Sequence, residues 1–153
     1  MPQKHRTLYV SDLDGTLLRP DQKTSLFTNQ TIQQLVEQGL YFSYATARSF
    51  ITASRATAGL HARIPLILYN GAFVLDSETR RILFSNFFPP DEIGWIRAVL
   101  DAHRIHPIVY AYIDGNEKFS YHTMQLNGGM RAFLDSRKGD IRERPVTSDE
   151  ELY

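Results

Sequence analysis

Apolar residues in this chain gather into short runs separated by polar breaks, and the breaks carry most of the Gly and Pro. Residues 8 to 11 (Leu-Tyr-Val-Ser) form a first short run that reads as a strand. Residues 13 to 27 read as a loop or small flap, with Arg19-Pro20-Asp21 as a turn signal. Thr28 is placed to cap a helix that carries Ile32, Leu35 and Val36 at helical spacing and stops at Gly39. Residues 40 to 45 give a second strand, Ser49 caps a second helix running to Ala58 before Gly59, and residues 65 to 69 give a third strand. Strands alternating with helices in this order imply an α/β fold with a parallel sheet and right-handed crossovers.

The pattern changes after Asn70-Gly71. Residues 72 to 75 and 81 to 85 form a hairpin candidate around Asp76-Ser77-Glu78-Thr79-Arg80, and Phe87-Phe88-Pro89-Pro90 reads as a linker. Asp91 is placed to cap a helix with Ile93, Ile96, Val99 and Leu100 on one face. A strand over 108 to 113, an Asp114-Gly115 turn and a strand over 118 to 122 follow. This α+β patterning divides the chain into residues 1–85 and a second module over 86–153. Ser148-Asp149-Glu150-Glu151 is a capping box that opens a helix close to the last residue, which suggests a sequence cut within a larger fold.

Composition narrows the function classes. The 153 residues are 42% hydrophobic and 22% charged, ordinary for a globular chain. Lys+Arg and Asp+Glu are both 17, so no net field draws the chain to nucleic acid or to a membrane surface. There is no Cys, which excludes a thiolate nucleophile and a Cys-ligated zinc. Met1 to Arg6 lack an apolar signal core, and no apolar run reaches the roughly 20 residues that span a bilayer. A soluble cytoplasmic protein is the expectation.

The first strand runs straight into Asp12-Leu13-Asp14-Gly15-Thr16. A buried strand end has no structural use for two carboxylates, because an unpaired buried charge is costly, so the pair asks for a cation or a reaction. A carboxylate can attack phosphorus to give an aspartyl phosphate. Both partners are anionic, and Mg²⁺, which binds through one or two carboxylates plus substrate phosphate, would offset the repulsion. On this reading Asp12 is the nucleophile, and Asp14 protonates the leaving oxygen and later deprotonates water. Both aspartates are the candidate metal ligands, and Gly15 allows a sharp turn and close approach of a phosphate.

Ser11-Asp12-Leu13-Asp14-Gly15-Thr16-Leu17-Leu18 resembles the first motif of the haloacid dehalogenase (HAD) superfamily. The resemblance implies a HAD-like Rossmannoid sheet with Mg²⁺ as cofactor, and it places Gly15 and Thr16 against the phosphate. The family's second motif, a Thr or Ser ending strand two, would be Thr46, within Tyr44-Ala45-Thr46-Ala47-Arg48. The Cof-like sugar-phosphatase branch usually has Gly where this chain has Ala47; Arg48 matches. Arg48 can bind a phosphate or make a local salt bridge. Asn70-Gly71-Ala72 matches the branch's segment after strand three and implies substrate contacts for Asn70 and Gly71, although Asn-Gly is foremost a turn. The branch then inserts an α+β cap, which residues 86–153 would begin.

The family's third-motif lysine and fourth-motif acidic cluster follow the cap, and nothing here matches them. Lys138-Gly139-Asp140 echoes them only superficially and is expected to be a solvated loop. A partner chain or a further C-terminal segment would have to complete the core, and without it strand one should present an apolar edge. The resemblance implies a phosphatase for a small phosphorylated metabolite, sugar phosphates first. Two alternatives remain: a non-catalytic binding protein derived from the same fold, and a phosphoacceptor receiver-like signalling domain. His103 and His106 are weak metal candidates. Tyr110, Tyr112, Phe119 and Tyr121 are read as sheet packing or as part of a substrate pocket rather than as base-stacking residues.

Overall fold

A computed structural model describes residues 7–60 and 64–153. The segment Met1 to Arg6, read above for the absence of a signal, lies outside the described residues. The chain divides into two compact units, Met1–Phe87 and Phe88–Tyr153.

The first unit is a five-stranded sheet in the order β1-β2-β3-β4-β5, with β1 at Leu8–Asp12, β2 at Tyr41–Ala45, β3 at Leu66–Leu68, β4 at Phe73–Leu75 and β5 at Ile82–Ser85. β1, β2 and β3 run parallel, as the alternation of elements requires, while β4 and β5 return antiparallel. Helices α1 (Leu26–Glu37) and α2 (Phe50–Ala56) are the crossovers. Leu13, Leu18, Tyr44, Ala53, Ala56, Leu66, Leu68 and Leu75 form the buried core of this unit. Three consecutive residues of β1, Leu8, Tyr9 and Val10, keep 50%, 54% and 45% of their surface exposed, because β1 is an edge strand among the described residues.

The caps differ in part from expectation. Ser25, not Thr28, caps α1: its Oγ accepts the Thr28 N–H at 2.9 Å, which places Thr28 inside the first turn. Ser49 caps α2 as expected, accepting the Thr52 N–H at 3.2 Å, but the helix ends at Ala56.

The second unit holds α3 (Pro90–Ala102), β6 (Val109–Ile113), β7 (Asn116–His122), α4 (Gly128–Asp135), β8 (Glu143–Val146) and α5 (Asp149–Leu152). Pro89 precedes α3 and Pro90 opens it, so Asp91 lies in the first turn instead of capping it. β6 and β7 form the expected hairpin, with Tyr110 opposite Phe119, and their rings pack 5.9 Å apart. α4 and β8 are additions to the sequence reading; β8 lies parallel to β7 at the sheet edge. Asp140 is a correction: its carboxylate is 9% exposed and paired with Arg142, which also meets Glu117 at 2.6 Å. This ion cluster is buried because the Arg142 carbonyl also accepts the Phe119 N–H at 3.0 Å, which ties the approach to β8 onto β7.

Candidate active site at the strand ends

The carboxyl ends of β1, β2 and β3 come together through the parallel register. Asp12 lies opposite Ala45, and Ala45 lies opposite Ile67. The loop after β2 is then laced to β3: the Thr46 N–H donates to the Ile67 carbonyl at 3.0 Å and the Asn70 N–H donates to the Thr46 carbonyl at 3.0 Å. The Tyr69 N–H donates to the Arg48 carbonyl at 3.2 Å. Thr46 is 3% exposed, and its hydroxyl accepts the Arg48 N–H at 3.2 Å, so its side chain is fixed beneath the loop.

After β1 the chain makes one tight turn over Leu13–Leu17, closed by the Leu18 N–H on the Leu13 carbonyl at 2.8 Å. Asp14 (φ −74°, ψ 121°) and Gly15 (φ 76°, ψ −1°) have the angles of the two central residues of a type II turn. That turn needs positive φ at its second central residue, which accounts for Gly after Asp. A Cβ built on Gly15 would meet nothing within 4 Å, so backbone angle rather than space selects glycine here. The turn lifts Asp14 off the strand and toward the β2 loop.

There Arg48 meets it. The Arg48 Nε donates to Asp14 Oδ2 at 2.8 Å and Nη2 donates to Oδ1 at 2.5 Å, a bidentate pair. Nη2 also donates to Gln22 Oε1. Hydrogen bonding to Arg48 is the largest cause that holds the Asp14 carboxyl below its ordinary value; partial burial opposes it. The same bond raises the guanidinium's own value. Of the two readings given to Arg48, the structure displays the local salt bridge, and it displays it with the second aspartate of the motif. Asp12 is exposed at the end of β1. Gly15, Thr16, Ala47 and Asn70 are also exposed, so the strand ends form an open surface. A cavity of about 540 Å³, lined among others by Gln33, Glu37, Phe50, Ser54 and Glu78, includes none of these residues.

Tyr69, Asn70 and Gly71 take three positive φ values in succession (50°, 55° and 93°), so the Asn-Gly turn is a left-handed segment after β3. Asn70 is a neighbour of Thr46 through its backbone N–H, which donates to the Thr46 carbonyl. Among the described residues no cluster of three or more His, Asp or Glu is placed to hold a metal. The donor set that exists, the carboxylates of Asp12 and Asp14, is hard oxygen, and its small size fits Mg²⁺, which takes its remaining ligands from phosphate and water.

A model of the haloacid dehalogenase-like hydrolases matches residues 9–149. The chain belongs to that family. In the Bacillus subtilis member named 5-amino-6-(5-phospho-D-ribitylamino)uracil phosphatase YitU, 30% of 140 residues are identical, covering 89% of this chain and 51% of that protein. The HMP-PP phosphatase of Serratia proteamaculans is 35% identical over 75 residues, covering 49% of this chain and 27% of that one. The chain thus spans about half the length, or less, of these curated relatives. Among solved structures, a phosphatase of the HAD superfamily from Bacteroides thetaiotaomicron superposes with TM-score 0.69 at 16% identity, over 99% of this chain and 54% of that one. A haloacid dehalogenase-like hydrolase from B. subtilis gives TM-score 0.69 at 20% identity, over 95% and 56%. At these identities the likeness is one of fold, and it agrees with the α/β class and the parallel sheet.

Gln22 is the residue the sequence reading missed. It follows the Arg19-Pro20-Asp21 turn, and no residue-type signal there points to Arg48.

Proposed function

We propose that this HAD-family chain carries the nucleophile half of a phosphatase site for a small phosphorylated metabolite, with Asp12 attacking phosphorus. The observation that carries the reading is the bidentate Asp14–Arg48 pair, held beside Asp12 and Thr46 at three parallel strand ends.

In this mechanism an Asp12 carboxylate oxygen bonds to phosphorus while the bond from phosphorus to the leaving alkoxide breaks. Asp14 gives its proton to that oxygen, so the first products are an alcohol and an aspartyl phosphate on Asp12. Water then attacks phosphorus, Asp14 takes its proton, and the bond to Asp12 breaks to release phosphate. The Thr46 hydroxyl and the Arg48 guanidinium bind phosphoryl oxygens. Arg48 holds Asp14 ionised before substrate arrives, so Asp14 must take up a proton before the first step. Mg²⁺ bound by Asp12 and Asp14 would screen the repulsion between carboxylate and phosphate. Gly15 and Thr16 would approach the phosphate, and Ala47, Asn70 and Gly71 would edge the substrate.

Sugar phosphates are the leading substrate class; the named substrate of the Bacillus relative carries a phosphorylated ribityl chain. The first unit is read as the N-terminal part of the catalytic core, residues 1–85, and residues 86–153 as part of the cap. The free edge of β1 would take a further strand from a longer polypeptide or a partner chain, and the missing lysine and acids would come with it. No helix of the described residues is long and apolar enough to cross a membrane. The setting proposed is cytoplasmic.

The test is Mg²⁺-dependent hydrolysis of a generic phosphomonoester, with Asp12→Asn alongside. Turnover that disappears in Asp12→Asn supports the reading; equal turnover in both proteins contradicts it.

A further inference from the structure

We infer that Gln22 is a positioning residue for the phosphate site, acting through Arg48. The inference rests on the reading of Arg48 as a phosphate ligand.

Arg48 has five N–H donors. Nε and one Nη2 hydrogen go to the two oxygens of Asp14, and the other Nη2 hydrogen goes to Gln22 Oε1. This leaves the Nη1 pair, which has no acceptor among the described residues. Asp14 and Gln22 together fix the plane of the guanidinium, so one defined edge, Nη1, is left for an incoming anion. Asp14 alone would hold the fork loosely; Gln22 takes the remaining Nη2 hydrogen and stops the group from turning toward solvent.

The local backbone argues that this contact has been built. The Gln22 N–H donates to the Arg19 carbonyl at 2.9 Å, a turn with Pro20 at its second position, and the Arg19 N–H donates to the Lys23 carbonyl at 3.0 Å. Asp21 pairs with Arg19 and accepts the Lys23 N–H at 3.3 Å. Gln22 closes this loop at φ 62°. A left-handed residue after such a turn is ordinarily Gly, with Asn next, because a Cβ is unfavourable there. A long side chain sits at a position where glycine would be easier, and its amide meets Arg48. The chemistry of that amide also suits the task. It accepts a hydrogen bond without adding negative charge, whereas a carboxylate would hold Arg48 more tightly and repel the phosphate.

The test measures calorimetric binding of inorganic phosphate to the chain and to Gln22→Gly, Arg48→Met and the double variant. Glycine suits the left-handed position, so Gln22→Gly is expected to keep or raise the melting temperature and to bind phosphate about fivefold to tenfold more weakly, the scale of one ordinary hydrogen bond. In the Arg48→Met background the same substitution is expected to change nothing, because its route to the anion is gone. Gln22→Gly binding as tightly as the parent, or weakening it equally in both backgrounds, overturns the inference and leaves the Arg48 reading intact. Undiminished binding by Arg48→Met overturns that underlying reading and the inference with it, and so does a parent chain that does not bind phosphate.

Discussion

Arg48 donates to both oxygens of Asp14, and the pairing favours the ionised carboxyl. A carboxyl whose folded value lies below its unfolded one adds stability above the unfolded value and loses it as pH falls through the folded one. The contribution from Asp14 should therefore be complete above the ordinary value of 3.8 and fade below it. Melting temperatures of the parent and Asp14→Asn should differ near neutral pH and converge on acidification. The gap should be small, because the Asp14 side chain is 47% exposed and solvent screens the pair. A gap that widens below that value would show that Arg48 does not set the ionisation of Asp14. At this scale the placement of Asp12 and Asp14 at and just after the end of β1 could be read from an apolar run that ends in two carboxylates, whereas Thr46 came into view only through the family resemblance. Gln22 could not be read by either route. Its position depends on the sign of one backbone angle, which glycine announces and glutamine conceals.

Elements were legible where periodicity and caps agreed. β1, β2, β3, the β6–β7 hairpin and the Ser49 cap follow from short apolar runs and from a hydroxyl placed before a helix. The α1 start was read three residues late because Ser25 and Thr28 are both competent caps, and only the 2.9 Å bond from the Thr28 N–H to Ser25 Oγ decides between them. α4 opens on Gly128-Gly129, poor helix formers; Asn127 caps it by accepting the Met130 N–H at 2.9 Å, and buried Met130 anchors it. β8 is Glu-Arg-Pro-Val, with a proline tolerated only because the strand is at an edge. What holds that edge is Arg142, 4% exposed and bonded to Asp140 and Glu117. Removing one partner of a buried ion cluster leaves uncompensated charge, so Arg142→Ala should destabilise the second unit by about 3–5 kcal/mol. Denaturant unfolding checks this; a loss within about 0.5 kcal/mol, the usual range for a surface substitution, would show the cluster to be incidental.

At the scale of the molecule, β1 presents three consecutive exposed apolar residues, Leu8, Tyr9 and Val10, at a sheet edge among the described residues. An edge strand with unpaired backbone groups and apolar faces is a template for another strand. The chain alone should therefore self-associate, and Tyr9→Lys, a charge placed on that edge, should reduce association in sedimentation without changing the fold. Equal association by both proteins would place the sticky surface elsewhere. The parallel order of the sheet was readable from the alternation of elements. The second unit was readable only as α+β patterning, because α4 opens on two glycines and β8 carries a proline.

The central claim is that Asp12 becomes phosphorylated. Nitrophenolate leaves without needing a proton, so Asp14→Asn should permit the first step and stall the second, which needs a base for water. The decisive measurement is borohydride reduction of this variant, quenched during reaction with nitrophenyl phosphate and Mg²⁺, followed by peptide mass analysis. An acyl phosphate is reduced to the alcohol, so homoserine is expected at position 12. Nitrophenol released with no homoserine at that position, or with homoserine at another aspartate, would contradict the account.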